Sequence, residues 1–116
     1  MHESRGLGDV YKRQVLRHMA HDLREADDVI VNMSQKTVKE RIAEALLYMM
    51  NNFGEDKDGY LALVLSREDI ANVVGTATES CIRILSEFKK QGLIKTSGKR
   101  MAILEARKLQ DLADGF

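Results

Sequence analysis

The chain has 116 residues, 44% of them apolar and 31% charged, with 18 basic residues balanced by 18 acidic ones. That length suits one domain or a little more, and a formal charge of zero removes any argument from overall basicity. The single cysteine, Cys81, excludes an internal disulfide and a cysteine-rich metal or iron–sulfur site.

No stretch approaches the roughly 20 apolar residues of a membrane-spanning helix. A cytoplasmic setting without a membrane partner is therefore the expectation. Residues 1–14 fit nothing that follows them. Asp9–Gln14 back-translates as GAT GTG TAT AAG AGA CAG, which matches the mosaic end of a transposase-based sequencing adapter. Residues 1–14 are accordingly expected to be a non-native lead-in, fused to a truncated gene.

From Val15 the pattern is strong. Leu16, Met19, Leu23, Ala26, Ile30 and Met33 recur at alternating spacings of three and four residues. This is an a/d seam. Charged residues between those positions keep the stripe narrow, which suits a two-helix coiled coil. Residues 15–36 are expected to form a dimerisation helix that ends in a polar hinge at Asn32–Lys36. The alternative is an ordinary amphipathic helix packed on its own domain. His18 and His21 lack a third partner, so no metal site is expected there.

Residues 37–116 read as the next unit. Thr37 and Glu40 form a capping box. Val38, Ile42, Ala45, Leu46, Met49 and Phe53 give the helix a buried stripe, and Gly54 ends it. Glu55–Gly59 is an acidic loop, and Tyr60–Leu65 has the composition of a short strand. Ser66 caps a short helix, with Asp69 three residues on and Ile70, Val73 and Val74 as its apolar face. Gly75 breaks the pattern. A second helix follows, with Ile82, Leu85 and Phe88 as its stripe and Ile84 widening it, and Gly92 lies just past its end. Two helices joined by a glycine-containing turn make a helix-turn-helix.

Two short apolar runs around Ser97-Gly98 then read as a β-hairpin. A hairpin in that place is the wing of a winged helix. Glu105–Ala113 should fold as a final helix, with Leu109 and Leu112 on the core, and residues 114–116 should fray. The expected fold is therefore mainly α with a small β-hairpin: a winged helix-turn-helix preceded by a coiled-coil-type dimerisation helix.

No nucleophile elbow, P-loop, zinc-protease motif or metal-spaced Cys/His set is present, so no enzyme is expected. Residues 66–100 carry seven basic residues against four acidic ones, a local excess of three positive charges. A recognition helix presents its first turns to base edges in the major groove. Thr78, Glu79 and Arg83 occupy those turns. Arginine can bond guanine O6 and N7, glutamate can accept from cytosine N4, and threonine can touch a thymine methyl or a phosphate. Glu79 and Arg83, four apart, are also placed to pair with each other. Arg67, Ser80, Lys99 and Arg100 suit phosphate contacts. Cys81 is expected to be a partly core-facing small apolar residue.

These readings point to a sequence-specific DNA-binding module. The alternative is a winged helix used for protein–protein contact and dimerisation alone.

Leu65-Ser66-Arg67-Glu68-Asp69-Ile70-Ala71, then Gly75, then Thr78-Glu79-Ser80 with Arg83-Ile84-Leu85, then Gly92-Leu93-Ile94 and Gly98-Lys99 resemble the C-terminal DNA-binding domain of the Crp/Fnr family of bacterial transcription regulators. The resemblance covers residues 15–112. It makes the module part of a transcription regulator, and it implies a homodimer formed through residues 15–33, a palindromic site in double-stranded DNA, and Glu79 and Arg83 as principal base readers. It further implies phosphate contacts by Arg67 and Lys99, and RNA polymerase as a partner. Family members also carry an N-terminal sensor domain, often for a cyclic nucleotide. No cofactor is expected in this segment, and an effector would belong to that sensor. Two positions depart from the family pattern. Ile82 stands where many members have a small or hydroxyl residue. Ala77 stands where a Ser or Thr cap is usual, with Thr76 or Thr78 as substitutes.

Overall fold

The computed structural model describes residues 4–29 and 36–116, with side chains within 11–24 and 36–116. The order is α1 (Ser4–Val29), α2 (Val38–Phe53), α3 (Arg67–Val74), α4 (Thr78–Lys90), β1 (Ile94–Ser97), β2 (Arg100–Ile103) and α5 (Ala106–Ala113). This is the mainly helical arrangement with one hairpin that the sequence leads one to expect.

Helix α1 runs without a break from Ser4 through the suspected lead-in and on to Val29. Its apolar face turns toward its own domain. Met19 is fully buried, Val15 nearly so, and Leu16 and Leu23 pack on the same core. Tyr48 donates its hydroxyl to Asp22 Oδ2 at 2.6 Å, and the Lys12 ammonium lies 2.8 Å from Asp69 Oδ2. Partial burial, with the Asp22 carboxylate adding to it, pushes the Tyr48 phenol up to about 12, so it stays a donor. Within the single chain, the described part of the seam packs on its own domain, with Leu16 and Leu23 only partly covered. The Ala26 side chain, Ile30, Met33 and hinge residues 32–35 lie outside the described residues.

Helix α2 is the central element. Both halves of its capping box form: Glu40 N–H donates to Thr37 Oγ1 at 3.1 Å, and Thr37 N–H donates to Glu40 Oε1 at 2.9 Å. Ile42, Ala43, Ala45, Leu46, Leu47 and Met49 are buried, whereas Val38 and Phe53 are only half-buried. Helix α5 packs along α2 through Leu109 and Ala113. Lys36 fastens the entry to α2, donating to the Ala113 carbonyl at 2.5 Å and pairing with Glu44 at 3.3 Å. The C-terminus is closed rather than frayed: Phe116 N–H donates to Asp111 O at 2.8 Å and Gly115 N–H to Leu112 O at 3.1 Å.

Residues 60–65 do not form the expected strand. Only Leu61 pairs, through a single bridge to Glu55 and an N–H to Met101 O of 2.7 Å. The cause is Asp56. Its Oδ1 accepts from Asp58 N–H at 2.9 Å and Tyr60 N–H at 3.0 Å, curling the chain just before the segment. Beyond it Leu61, Leu63 and Leu65 face the core and Ala62 and Val64 face out, so the alternation of a strand is present, but past the Leu61 bridge no neighbouring strand among the described residues pairs with it.

The wing has the predicted position. Ser97 pairs with Arg100 and Ile94 with Ile103, leaving Gly98-Lys99 as a two-residue turn. Gly98 takes φ +63°, the conformation such tight hairpin turns require.

Candidate nucleic-acid interface

The interface is built on α3, α4 and the wing. Helix α3 has only 8 residues and is closed at both ends. Ser66 Oγ accepts from Asp69 N–H at 3.0 Å, and Asp69 Oδ2 accepts from Ser66 N–H at 3.0 Å. Partial burial alone would raise the Asp69 carboxyl. The Lys12 ammonium and the Ser66 donors outweigh it and hold the group below the ordinary carboxylate range. At the other end Gly75 adopts φ +78°, ψ +43°, and its N–H reaches Ala71 O at 2.9 Å. An L-residue with a side chain is disfavoured there. Arg41 of α2 covers the Val74 carbonyl at 3.1 Å.

Helix α4 begins differently. Ala77 is its N-cap and supplies no side-chain bond. Neither Thr76 nor Thr78 takes over that role. The first-turn N–H groups of α4 therefore open outward without a side-chain cap, at the positive end of the helix dipole.

The buried face of α4 is Cys81, Ile84, Leu85 and Phe88. This corrects the sequence reading, which put Ile82 in the stripe: Ile82 is 50% exposed and Cys81 is fully buried. At about 100° per residue, Cys81 lies at the centre of the arc set by Ile84, Leu85 and Phe88, and Ile82 lies well to one side. Burial pushes the Cys81 thiol up to about 11, against the Arg67 guanidinium, which pulls the other way. The thiol is thus neutral and unreactive at neutral pH.

Thr78, Glu79, Ile82, Arg83 and Ser86 are exposed. Ser80 is half-buried at the edge of that face. The expected Glu79–Arg83 pair is absent. Arg83 instead lies 3.7 Å from Glu87, which also meets Lys39 of α2 at 3.4 Å. With 65% of its side chain exposed, Arg83 projects outward, and an exposed i,i+4 pair contributes only about 0.3–0.5 kcal/mol. A better acceptor would displace Glu87 at little cost.

The structure brings Arg67 to the wing, where its Nη1 donates to Gly98 O at 3.0 Å. The first helix of the motif and the hairpin tip are thereby joined. Lys99 beside that contact is exposed. Arg100, by contrast, has partners within the chain. It is held by Asp56 at 2.6 Å and Asp58 at 3.7 Å and stacks on Tyr60 at 4.2 Å. The Asp56 hydrogen bond raises it above its ordinary range, opposed by desolvation. Arg100 clamps the 55–60 loop to the wing, with 42% of its side chain still exposed. That clamp, and the bond from Arg67 to Gly98, have no local sequence signal, because the partners lie 44 and 31 residues apart. Among the described residues no group of three or more His, Cys, Asp or Glu could hold a metal ion, and no helix is long and apolar enough to cross a membrane.

A buried-faced second helix set against a short capped one, with a hairpin tip bonded back to the first, defines a winged helix-turn-helix domain. Residues 40–112 match the Crp-like helix-turn-helix domain, and the chain belongs to that family. It is 34% identical over 108 residues to the transcriptional activator protein Anr of Pseudomonas aeruginosa, covering 90% of this chain and 43% of that protein. It is 31% identical over 98 residues to a CRP-like cAMP-activated global transcriptional regulator of Mycobacterium tuberculosis, covering 83% of this chain and 44% of that protein. Among solved structures, FixK2 of Bradyrhizobium japonicum matches with a TM-score of 0.63 at 30% identity, over 95% of this chain and 55% of that one. The chain spans less than half the length of the first two relatives.

Proposed function

We propose that this chain is the DNA-reading part of a Crp/Fnr-type transcription regulator. The observation that carries the reading is the outward face of α4. Glu79 and Arg83 stand exposed beside an uncapped N-terminus, while the opposite face is sealed in the core. In the proposed complex α4 enters the major groove. Glu79 and Arg83 meet base edges, and Thr78 meets the backbone or a thymine methyl. Arg67, Ser80 and Lys99 hold phosphate, with the open N–H groups of α4 adding to them.

A homodimer would place two such helices in successive major grooves of a palindromic site, roughly 34 Å apart. The Mycobacterium tuberculosis relative is by name cAMP-activated. For the present protein an effector would act through a part of the regulator outside this segment, in the bacterial cytoplasm and with RNA polymerase as the downstream partner. The segment itself is assigned neither a catalytic role nor a cofactor.

The test is a salt titration of binding to random and palindromic duplexes. Specific binding with a steep salt dependence is expected. Arg83→Ala should cost about 1–3 kcal/mol on the preferred site and relax specificity there, whereas Lys99→Ala should weaken all sequences alike. Binding that responds neither to sequence nor to salt would sink the reading and leave the protein-contact alternative.

A further inference from the structure

Ile82 is the one large apolar side chain on the outward face of α4. It is 50% exposed, while Cys81, Ile84, Leu85 and Phe88 take every place on the buried face. Its neighbours outside are polar: Glu79, Arg83 and Ser86, all exposed. No packing among the described residues explains a branched aliphatic residue there. A scattered exposed aliphatic needs no reason of its own on an ordinary surface, but this one stands beside Glu79, on the far side from Arg83, next to the two side chains assigned to base reading.

We infer that Ile82 is a third specificity-determining residue, and that its ligand is the 5-methyl group of a thymine next to the base pair met by Glu79 and Arg83. This inference rests on the DNA-reading assignment above and deepens it. Helix geometry places Ile82 about 60° around the axis from Glu79 and about 100° from Arg83. Its Cα is displaced about 4.5 Å along the axis from that of Glu79, on the order of one base-pair step. Thymine is the one base that offers an apolar group in the major groove. Isoleucine is short and stiff at χ1, so it has no reach toward a distant phosphate and brings a fixed methyl surface to its neighbour. A hydroxyl residue at this position would accept several bases, whereas an isoleucine leaves a polar base edge unpaired and so selects against it.

The experiment uses the full chain and a site selected from random duplexes. Each thymine of the half-site is replaced in turn by deoxyuridine, which removes only the methyl group. Binding by the wild-type chain should fall roughly fourfold at one thymine per half-site, the loss of one buried methyl. Ile82→Ala should bind the thymine site more weakly and show no further loss on the deoxyuridine site. Its thermal midpoint should match the wild type, because Ile82 lies outside the core. A selected half-site without thymine, or a wild type indifferent to deoxyuridine at every position, would overturn the inference while leaving the reading helix intact. An undiminished deoxyuridine penalty in Ile82→Ala would overturn it too, since another side chain would then hold the methyl. Binding with no sequence preference at all would remove both this inference and the assignment beneath it.

Discussion

Helices α3 and α4 are the two halves of one motif, and they are stabilised in opposite ways. Helix α3 has 8 residues, a reciprocal Ser66–Asp69 box at its start, a left-handed Gly75 at its end and Arg41 over its last carbonyl. Helix α4 has 13 residues, a bare Ala77 at its start and a buried face of Cys81, Ile84, Leu85 and Phe88. A helix as short as α3 has too few internal bonds to offset its nucleation cost, so it depends on its ends. Helix α4 depends on its buried side. Its N-terminus is thereby left open, where a capping side chain would compete with an incoming phosphate.

The largest effect should come from attacking the buried side of α4. Phe88→Ala removes a fully buried ring and should cost about 3–5 kcal/mol in a denaturant titration. A loss below about 1 kcal/mol would mean that α4 is not held by its core face. Next in size is Gly75→Ala at the joint between the helices. A Cβ meets no atom there, so the expected loss of about 1–2 kcal/mol is purely conformational. An unchanged unfolding midpoint would show that the joint tolerates the strain. Smaller again is the contrast of caps. Ser66→Ala should destabilise by about 1 kcal/mol, and Ala77→Asp should stabilise by a similar amount. The same Ala77→Asp chain should bind all DNA sequences more weakly, because its carboxylate occupies the place of a phosphate. If Ala77→Asp brought stability and left DNA binding untouched, the open end of α4 would have no part in binding.

Much of this was legible in the sequence wherever the signal was local. Both capping boxes, the glycine ends, the hairpin turn and the final helix follow from residues within four positions of one another. The strand expected at 60–65 fails because Asp56, upstream of the segment, captures two backbone N–H groups. The misplacement of Ile82 has another origin. Isoleucine is the stronger apolar signal, so the spacing rule runs the stripe through Ile82, whereas Cys81 holds the centre of the buried arc. The Arg100–Asp56 pairing was not legible because the partners lie 44 residues apart. The Glu79–Arg83 pair was a choice between two partners at equal spacing, and Glu87 prevailed with Lys39 beside it. The candidate base readers themselves were legible, since an outward face is what remains once the buried one is known.

Met19 carries one more consequence. Its side chain is fully buried in the same core cluster as Ile42, Leu46 and Ile70, although it lies on α1. A polar run at 32–36 looks like a natural place to begin a shorter protein, yet the packing does not divide there. A recombinant chain beginning at Thr37 would carry an unfilled notch and newly wetted apolar surface on α2 and α3. Such a product is expected to be sticky and to self-associate in solution. Retaining Val15–Leu23 should keep it well behaved.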